Sequence, residues 1–295
     1  MIGHRLLGAV CATLLASLGA EPCIAAPAAT VTGLQMPAWV VRGGAQVPLA
    51  IGAAVGSGDT LRTGAGSRVL LTLEEGSTVK LGESATLDLA RLAPPPQPDG
   101  VFEGVMNVLA GAFRFTTTAI GQGRKRNLSA RIGTATIGIR GTDVWGKAEP
   151  GRDFIVLLEG TIDVTRDDRT VTMAEPQSLF MAPRGAPALP LAPVDPGDLA
   201  RWAQETELQP GAGFARADGR VRVYLASFRN ESAARAAQAA LAEAGYAANL
   251  VPATVRGRPW HRLAIDGFVD RTEAQAFARA VAAQFAFASP WFEVR

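Results

Sequence analysis

The sequence predicts two folded parts of different class: an all-β domain, then a smaller α+β module, a four-stranded antiparallel sheet with two helices in the order β-α-β-β-α-β. Three observations predict it. A chain of 295 residues exceeds the roughly 250 at which single cores usually stop growing. From Thr30 to about Leu189, short alternating apolar runs are broken by Gly-rich turns. After Pro210-Gly211-Ala212-Gly213 the texture changes to strands alternating with Ala-rich helical stretches.

Residues 1–26 read as an export signal. His4 and Arg5 precede an apolar run from Leu6 to about Leu18, and the small residues Ala25-Ala26-Pro27-Ala28 follow. That layout predicts cleavage near Ala26. The run is short of the ~20 residues a spanning helix needs, and Ala20-Glu21-Pro22 before Cys23 does not fit a lipoprotein box. No later stretch is apolar enough to span a membrane, so the mature chain is expected in the periplasm or outside the cell.

Residues 30–190 are expected to form the all-β domain. Ser67 to Leu73 alternates and then turns at Glu74-Glu75-Gly76-Ser77, and Phe154 to Leu158 leads through Glu159-Gly160 into Thr161 to Thr165. Gly141 in Arg140-Gly141-Thr142-Asp143 suits a turn, with Thr142 and Asp143 satisfying backbone groups there. Glu74-Glu75 and Asp167-Asp168 are read as solvated turn residues, and Gly121 to Asn127, with Arg124-Lys125-Arg126, as an exposed loop.

Residues 191–218 read as a connection. It carries a short helix, Pro196 to Leu208, capped by Asp195, with Trp202 placed to dock on the β domain, and then the linker Pro210 to Gly213. Residues 219–295 form the second module. Strands are expected at Arg220 to Phe228, Ala248 to Val255, Pro259 to Ile265 and Trp291 to Val294. Helices are expected from Glu231 to Ala244, capped by Asn230, and from Asp270 or Thr272 to Phe285.

Composition removes several classes of function. Both cysteines, Cys11 and Cys23, lie near the N-terminus, and the only histidines are His4 and His261. A zinc centre or a histidine triad is not available in the body of the chain. No Ser-His, Cys-His or paired-carboxylate arrangement is visible, so no catalytic residues, no metal and no cofactor are expected. A net charge of +2 is too small to argue for nucleic acid.

Side chains alternate along a strand, and the helices must cover one face of the C-terminal sheet. Val221, Val223, Leu225, Leu263, Ile265, Phe292 and Val294 form the covered set. The opposite face then holds Arg222, Tyr224, Trp260, Arg262, Ala264, Trp291, Glu293 and Arg295. Flat aromatics stack on sugar rings and Arg donates several hydrogen bonds to hydroxyl, acetamide or carboxylate oxygens. Arg222, Tyr224, Trp260, Arg262, Trp291 and Arg295 are therefore the candidate ligand-binding residues. The bland alternative is that Trp260 and Trp291 tuck against the β domain or each other.

Two stretches resemble known families. Val223-Tyr224-Leu225-Ala226-Ser227-Phe228, the Ala-rich helix ending at Gly245-Tyr246, His261 to Phe268 and Arg271-Thr272-Glu273-Ala274 occur in the order of the sporulation-related repeat, the SPOR domain. Tyr224 stands where that family customarily has Gln. The resemblance implies binding of peptidoglycan, chiefly glycan strands stripped of stem peptides, often at division sites. Ala135 to Val144, followed by Val156 to Val164 and preceded by Leu73 to Gly82, resembles the periplasmic FecR-type domain. That resemblance implies the fold and a second interaction module, with an envelope protein as partner. Together they imply a non-catalytic protein that binds peptidoglycan glycan strands. The alternative is a periplasmic sensory or signalling component acting through protein partners of the FecR-like domain.

Overall fold

The computed structural model describes residues 27–95, 97, 99–117 and 125–295. The export-signal expectation, on residues 1–26, lies outside the described residues, as does most of the 121–127 loop. The β domain is a sandwich of two sheets. One runs in the order Ala45–Pro48, Ala38–Arg42, Asp59–Thr63, Thr86–Ala93, Phe102–Thr116, Arg126–Ile132, Ala135–Ile139, Ile162–Arg166, Arg169–Met173. The other runs Ala192–Pro193, Ser178–Pro183, Arg152–Glu159, Asp143–Ala148, Phe102–Thr116, Thr78–Leu81, Arg68–Leu73, Ala29–Gln35. Phe102–Thr116 serves both sheets, its first half in one and its second half in the other. It crosses over at Gly111, whose φ of +79° favours glycine and whose missing Cβ lets Ala85 approach.

Alternation explains the sandwich core. Val69, Leu71 and Leu73 of one strand bury inward against Val31, Leu61, Phe113, Phe115 and Ile137. The unbroken apolar run Phe154 to Leu158 needs a second cover. Ile155 and Leu157 enter the sandwich core, whereas Phe154 and Val156 face a separate cluster under the helix Pro196–Thr206. Asp195 caps that helix by accepting from the Gly197 and Asp198 amides. Trp202 lies flat on Trp145, centroids 5.3 Å apart and planes 7° apart. Ion pairs from Lys147 to Glu205 and from Lys80 and Arg114 to Glu207 fasten the helix end.

Three charged groups depart from the sequence reading. Asp143 pairs with Arg114 through both carboxylate oxygens, at 2.9 and 2.6 Å, rather than bonding to backbone. Glu75 is buried, not solvated, and pairs with Arg126 at 3.4 Å. Arg126 belongs to a strand and its side chain is buried, so it is not part of an exposed basic loop. In each case a charge near a turn found an opposite charge from a strand remote in sequence, which local pattern does not reveal.

The second module contains Val221–Phe228, helix Glu231–Glu243, Asn249–Val255, Arg258–Phe268, helix Arg271–Phe285 and Trp291–Val294. The sheet order is Asn249–Val255, Arg258–Phe268, Val221–Phe228, Trp291–Val294, all antiparallel. Asn230 and Asp270 cap the helices. Val223, Leu225, Leu263, Ile265, Phe268, Phe277 and Val281 fill the core between sheet and helices.

The Pro210–Gly213 connection is tied down. The Glu273 carboxylate accepts from the amides of Gly211, Gly213 and Phe214. The strand Phe214–Arg216 pairs with Gly33 to Gln35 on one side and, through Ala215, with Phe268 on the other. Met36 and Ile51 pack against both cores. Gly245, at φ +86°, ends the first helix against the Trp39 ring, where a Cβ would meet ring atoms at 2.7 Å. Trp39 Nε1 donates to the Glu243 carbonyl at 3.1 Å and the Ala38 amide to that of Gly245 at 3.1 Å.

Candidate functional site

The helices occupy one face of the C-terminal sheet; the opposite face carries no packed element of the module. Cross-strand pairs share a face, which fixes what stands there. Tyr224 pairs with Ala264 and Trp291, Arg222 with Glu293, Ser227 with Arg262, and Val251 and Ala253 with Arg262 and Trp260. Arg222, Tyr224, Trp260, Arg262 and Trp291 therefore share the open side, as the alternation predicts. The phase survives a bulge between Tyr224 and Ala226, which the sequence does not announce. The extra residue, Leu225, stays in the core.

At the centre, Trp291 stacks on Tyr224 with centroids 5.0 Å apart and planes 15° apart. The Arg262 guanidinium lies 5.5 Å from the Tyr224 ring centre and 5.6 Å from that of Trp291, flanking the pair in cation–π contact with both rings. Among the described residues Arg262 has no carboxylate partner. Trp260 stands four residues from Ala264 along the same strand, about 13 Å away at ~3.3 Å per residue. Arg229 covers its ring at 5.1 Å. Trp291 thus stacks on Tyr224 and Trp260 meets Arg229, rather than the two stacking on each other.

Two candidates differ from expectation in exposure. Arg222 and Tyr224 are buried, at 6% and 5% of their surface exposed, so they form the floor of the site rather than its contact layer. The physical reason is a pair of acids on the same face. Asp266 accepts both Arg222 Nε and Nη2, at 2.5 and 2.8 Å, and Glu293 accepts the Tyr224 hydroxyl at 2.6 Å. The hydrogen bond to Asp266 holds the Arg222 guanidinium well above its ordinary value, against the opposing effect of burial. Arg295, largely exposed, reaches Asp266 at 3.5 Å. Sequence reasoning placed Glu293 outward but assigned it no role, and it missed Asp266 and Arg229. An acid facing an arginine across a strand pair was the available signal. His261, by contrast, points to the helix side, opposite Phe228 and Pro252 on a central strand.

The arrangement is an aromatic step with a cationic edge, held on a rigid sheet. It presents a flat ring face and unspent guanidinium donors to solvent, suited to an uncharged or anionic polyhydroxyl chain more than to a compact small molecule. Among the described residues no group of three or more His, Cys, Asp or Glu is placed to hold a metal ion. No described helix is long and apolar enough to cross a membrane.

A β sandwich followed by a strand-helix-strand-strand-helix-strand module with one bare face defines the class of protein. Family models place it further: the chain carries a FecR protein region over residues 59–163 followed by a SPOR domain over residues 217–292. The SPOR match points to peptidoglycan as ligand, and the FecR match to protein partners in the cell envelope. Two crystal structures of a "putative anti-sigma factor" from Parabacteroides distasonis ATCC 8503 resemble the chain. One is 12% identical over 68% of this chain and 96% of its own, the other 14% identical over 77% and 91%, both with a TM-score of 0.40. At that score the likeness carries no argument. No curated protein matches.

Proposed function

We propose that this is a non-catalytic envelope protein that holds peptidoglycan glycan strands on the open face of its SPOR domain. The FecR region serves as a second interaction module. The carrying observation is the Tyr224–Trp291 stack flanked by Arg262 on an uncovered sheet face. Trp291, Arg262, Trp260 and Arg295 make the contacts; Tyr224 and Arg222 set their positions from below. Sugar rings offer apolar C–H faces to Trp291 and hydroxyl or lactyl oxygens to the arginines.

The test is cosedimentation of the full chain with sacculi stripped of stem peptides, beside the Trp260→Ala/Arg262→Ala/Trp291→Ala triple variant. The variant is expected to stay in the supernatant while the parent pellets. Equal retention of the two, with the variant folded by circular dichroism, would defeat the proposed face.

A second reading, signalling through a protein partner, is favoured by one feature of the FecR region. Among the described residues the edge strand Arg169–Met173 pairs on one side only. It borders a cleft of about 910 Å³ lined by Val171, Phe180 and the Pro-rich segment up to Leu191. A strand edge beside a cleft that joins these apolar residues to Arg166, Asp167 and Arg169 suits addition of an extended peptide. Crosslinking from position 171 to one defined envelope protein would support it.

A further inference from the structure

At the junction of the two modules, beside the open face, lies a cleft of about 200 Å³. Its apolar lining from the β sandwich includes Leu34, Met36 and Ile51, and Arg216 of the connecting strand also lines it. Its rim comes from the SPOR domain: Ala217, Asn249 and Asp266. Asn249 and Asp266 also belong to the open face, since Asn249 pairs with Ala264 and Asp266 lies two residues beyond on the same strand. The cleft and the aromatic step are therefore parts of one continuous surface.

We infer that this junction cleft is a subsite for the N-acetyl group of a glycan strand lying on the open face, so that the FecR region supplies one wall of the glycan site. The inference rests on the glycan reading above and adds a specific group, a location and a contribution from the other module.

Three observations support it. The volume is below the roughly 300–1,000 Å³ of a drug-sized site, so the cleft takes one substituent and not a whole chain. Its lining matches an acetamide group by group. The methyl meets the apolar lining. The N–H meets Asp266, whose carboxylate keeps acceptor capacity beyond its two bonds from Arg222. The carbonyl meets Asn249, an exposed carboxamide with no hydrogen-bond partner among the described residues. Diagonal neighbours of this kind stand roughly 7–8 Å apart, a span an amide bridges with two hydrogen bonds of about 2.9 Å. Finally, the wall is fixed in place. The strand Phe214–Arg216 joins both modules, and Met36 and Ile51 pack into both cores, so little ordering remains to be done on binding.

The experiment is isothermal titration of the full chain with soluble glycan strands freed of stem peptides, either N-acetylated or chemically de-N-acetylated. Ala217→Trp fills the cleft from its exposed rim; Asn249→Ala removes the donor with minimal risk to folding. The parent is expected to bind the de-N-acetylated strands about tenfold more weakly, the value of roughly one hydrogen bond. Both variants should bind the N-acetylated strands several-fold more weakly and should lose most of the discrimination. Parent-like affinity and discrimination in both variants, with Trp291→Ala weakened, would overturn the subsite and leave the open face standing. A parent that binds neither kind of strand would overturn both readings.

Discussion

Among the stacked aromatic pairs of the described residues, Trp145 on Trp202 and Tyr224 on Trp291 have nearly the same geometry. Each pairs a buried ring with a half-buried one; in the first the outer ring, Trp202, is carried by a helix packed on the sheet. Trp145 is 2% exposed, lies under the helix Pro196–Thr206 and is backed by Phe154 and Val156. The second has one ring in the sheet floor and one half-open to solvent, with arginines around it and no helix above. Stacking geometry alone therefore says nothing about role. What carries and surrounds the outer ring, a packed helix in one case and a bare sheet face with Arg262 beside it in the other, separates the two.

Trp145→Ala should break the comparison at its structural end. Removing a sealed Trp costs about 3–5 kcal/mol, read as a lower denaturant midpoint, while glycan binding by the folded fraction stays unchanged. Asp266→Ala should cost about 1.5–3 kcal/mol, because it leaves the buried Arg222 guanidinium without its charged acceptors; the same unfolding experiment measures it. Trp291→Ala should cost no more than about 1.5 kcal/mol, the scale of an aromatic pair beyond its burial, yet lower strand affinity at least tenfold. A stability loss in Trp291→Ala as large as that of Trp145→Ala would erase the distinction between the two stacks.

The smallest effect is a control remote from both pairs. Burial alone would raise the Asp59 carboxyl, but hydrogen bonds from Arg42 and the Gly56 amide outweigh it and hold it below its ordinary value. A folded value below the unfolded one stabilises at pH above the unfolded value and fades as pH falls through the folded one. The stability difference between the parent and Asp59→Asn should thus be constant from neutrality to about pH 4 and shrink below it. Strand binding near neutral pH should be untouched.

Much of this was legible in advance. The caps Asp195 and Asn230, the strand at Trp291–Val294 and the face shared by Tyr224, Arg262 and Trp291 all follow from side-chain spacing and local hydrogen bonding. Those signals act within a few residues, so a linear pattern contains them. Burial of Arg222 and Tyr224 was not legible. It depends on Asp266 and Glu293, which arrive from other strands, and a bulge at Leu225 separates the register from simple alternation. The same holds for Glu75 with Arg126 and Asp143 with Arg114.

By itself the sequence determined the class of each module, its helix limits and which side of the C-terminal sheet the aromatics and arginines occupy. Periodicity and capping act over short range, and those facts are short-range facts. Only the tertiary structure decided that the modules meet through the strand Phe214–Arg216, that Trp145 is buried under a helix while Trp291 stands half-open on a sheet face, and that a cleft forms between Ile51 and Asn249. Each of those depends on surfaces far apart in the chain closing on one another, and burial, unlike periodicity, belongs to the assembled surface rather than to any one segment.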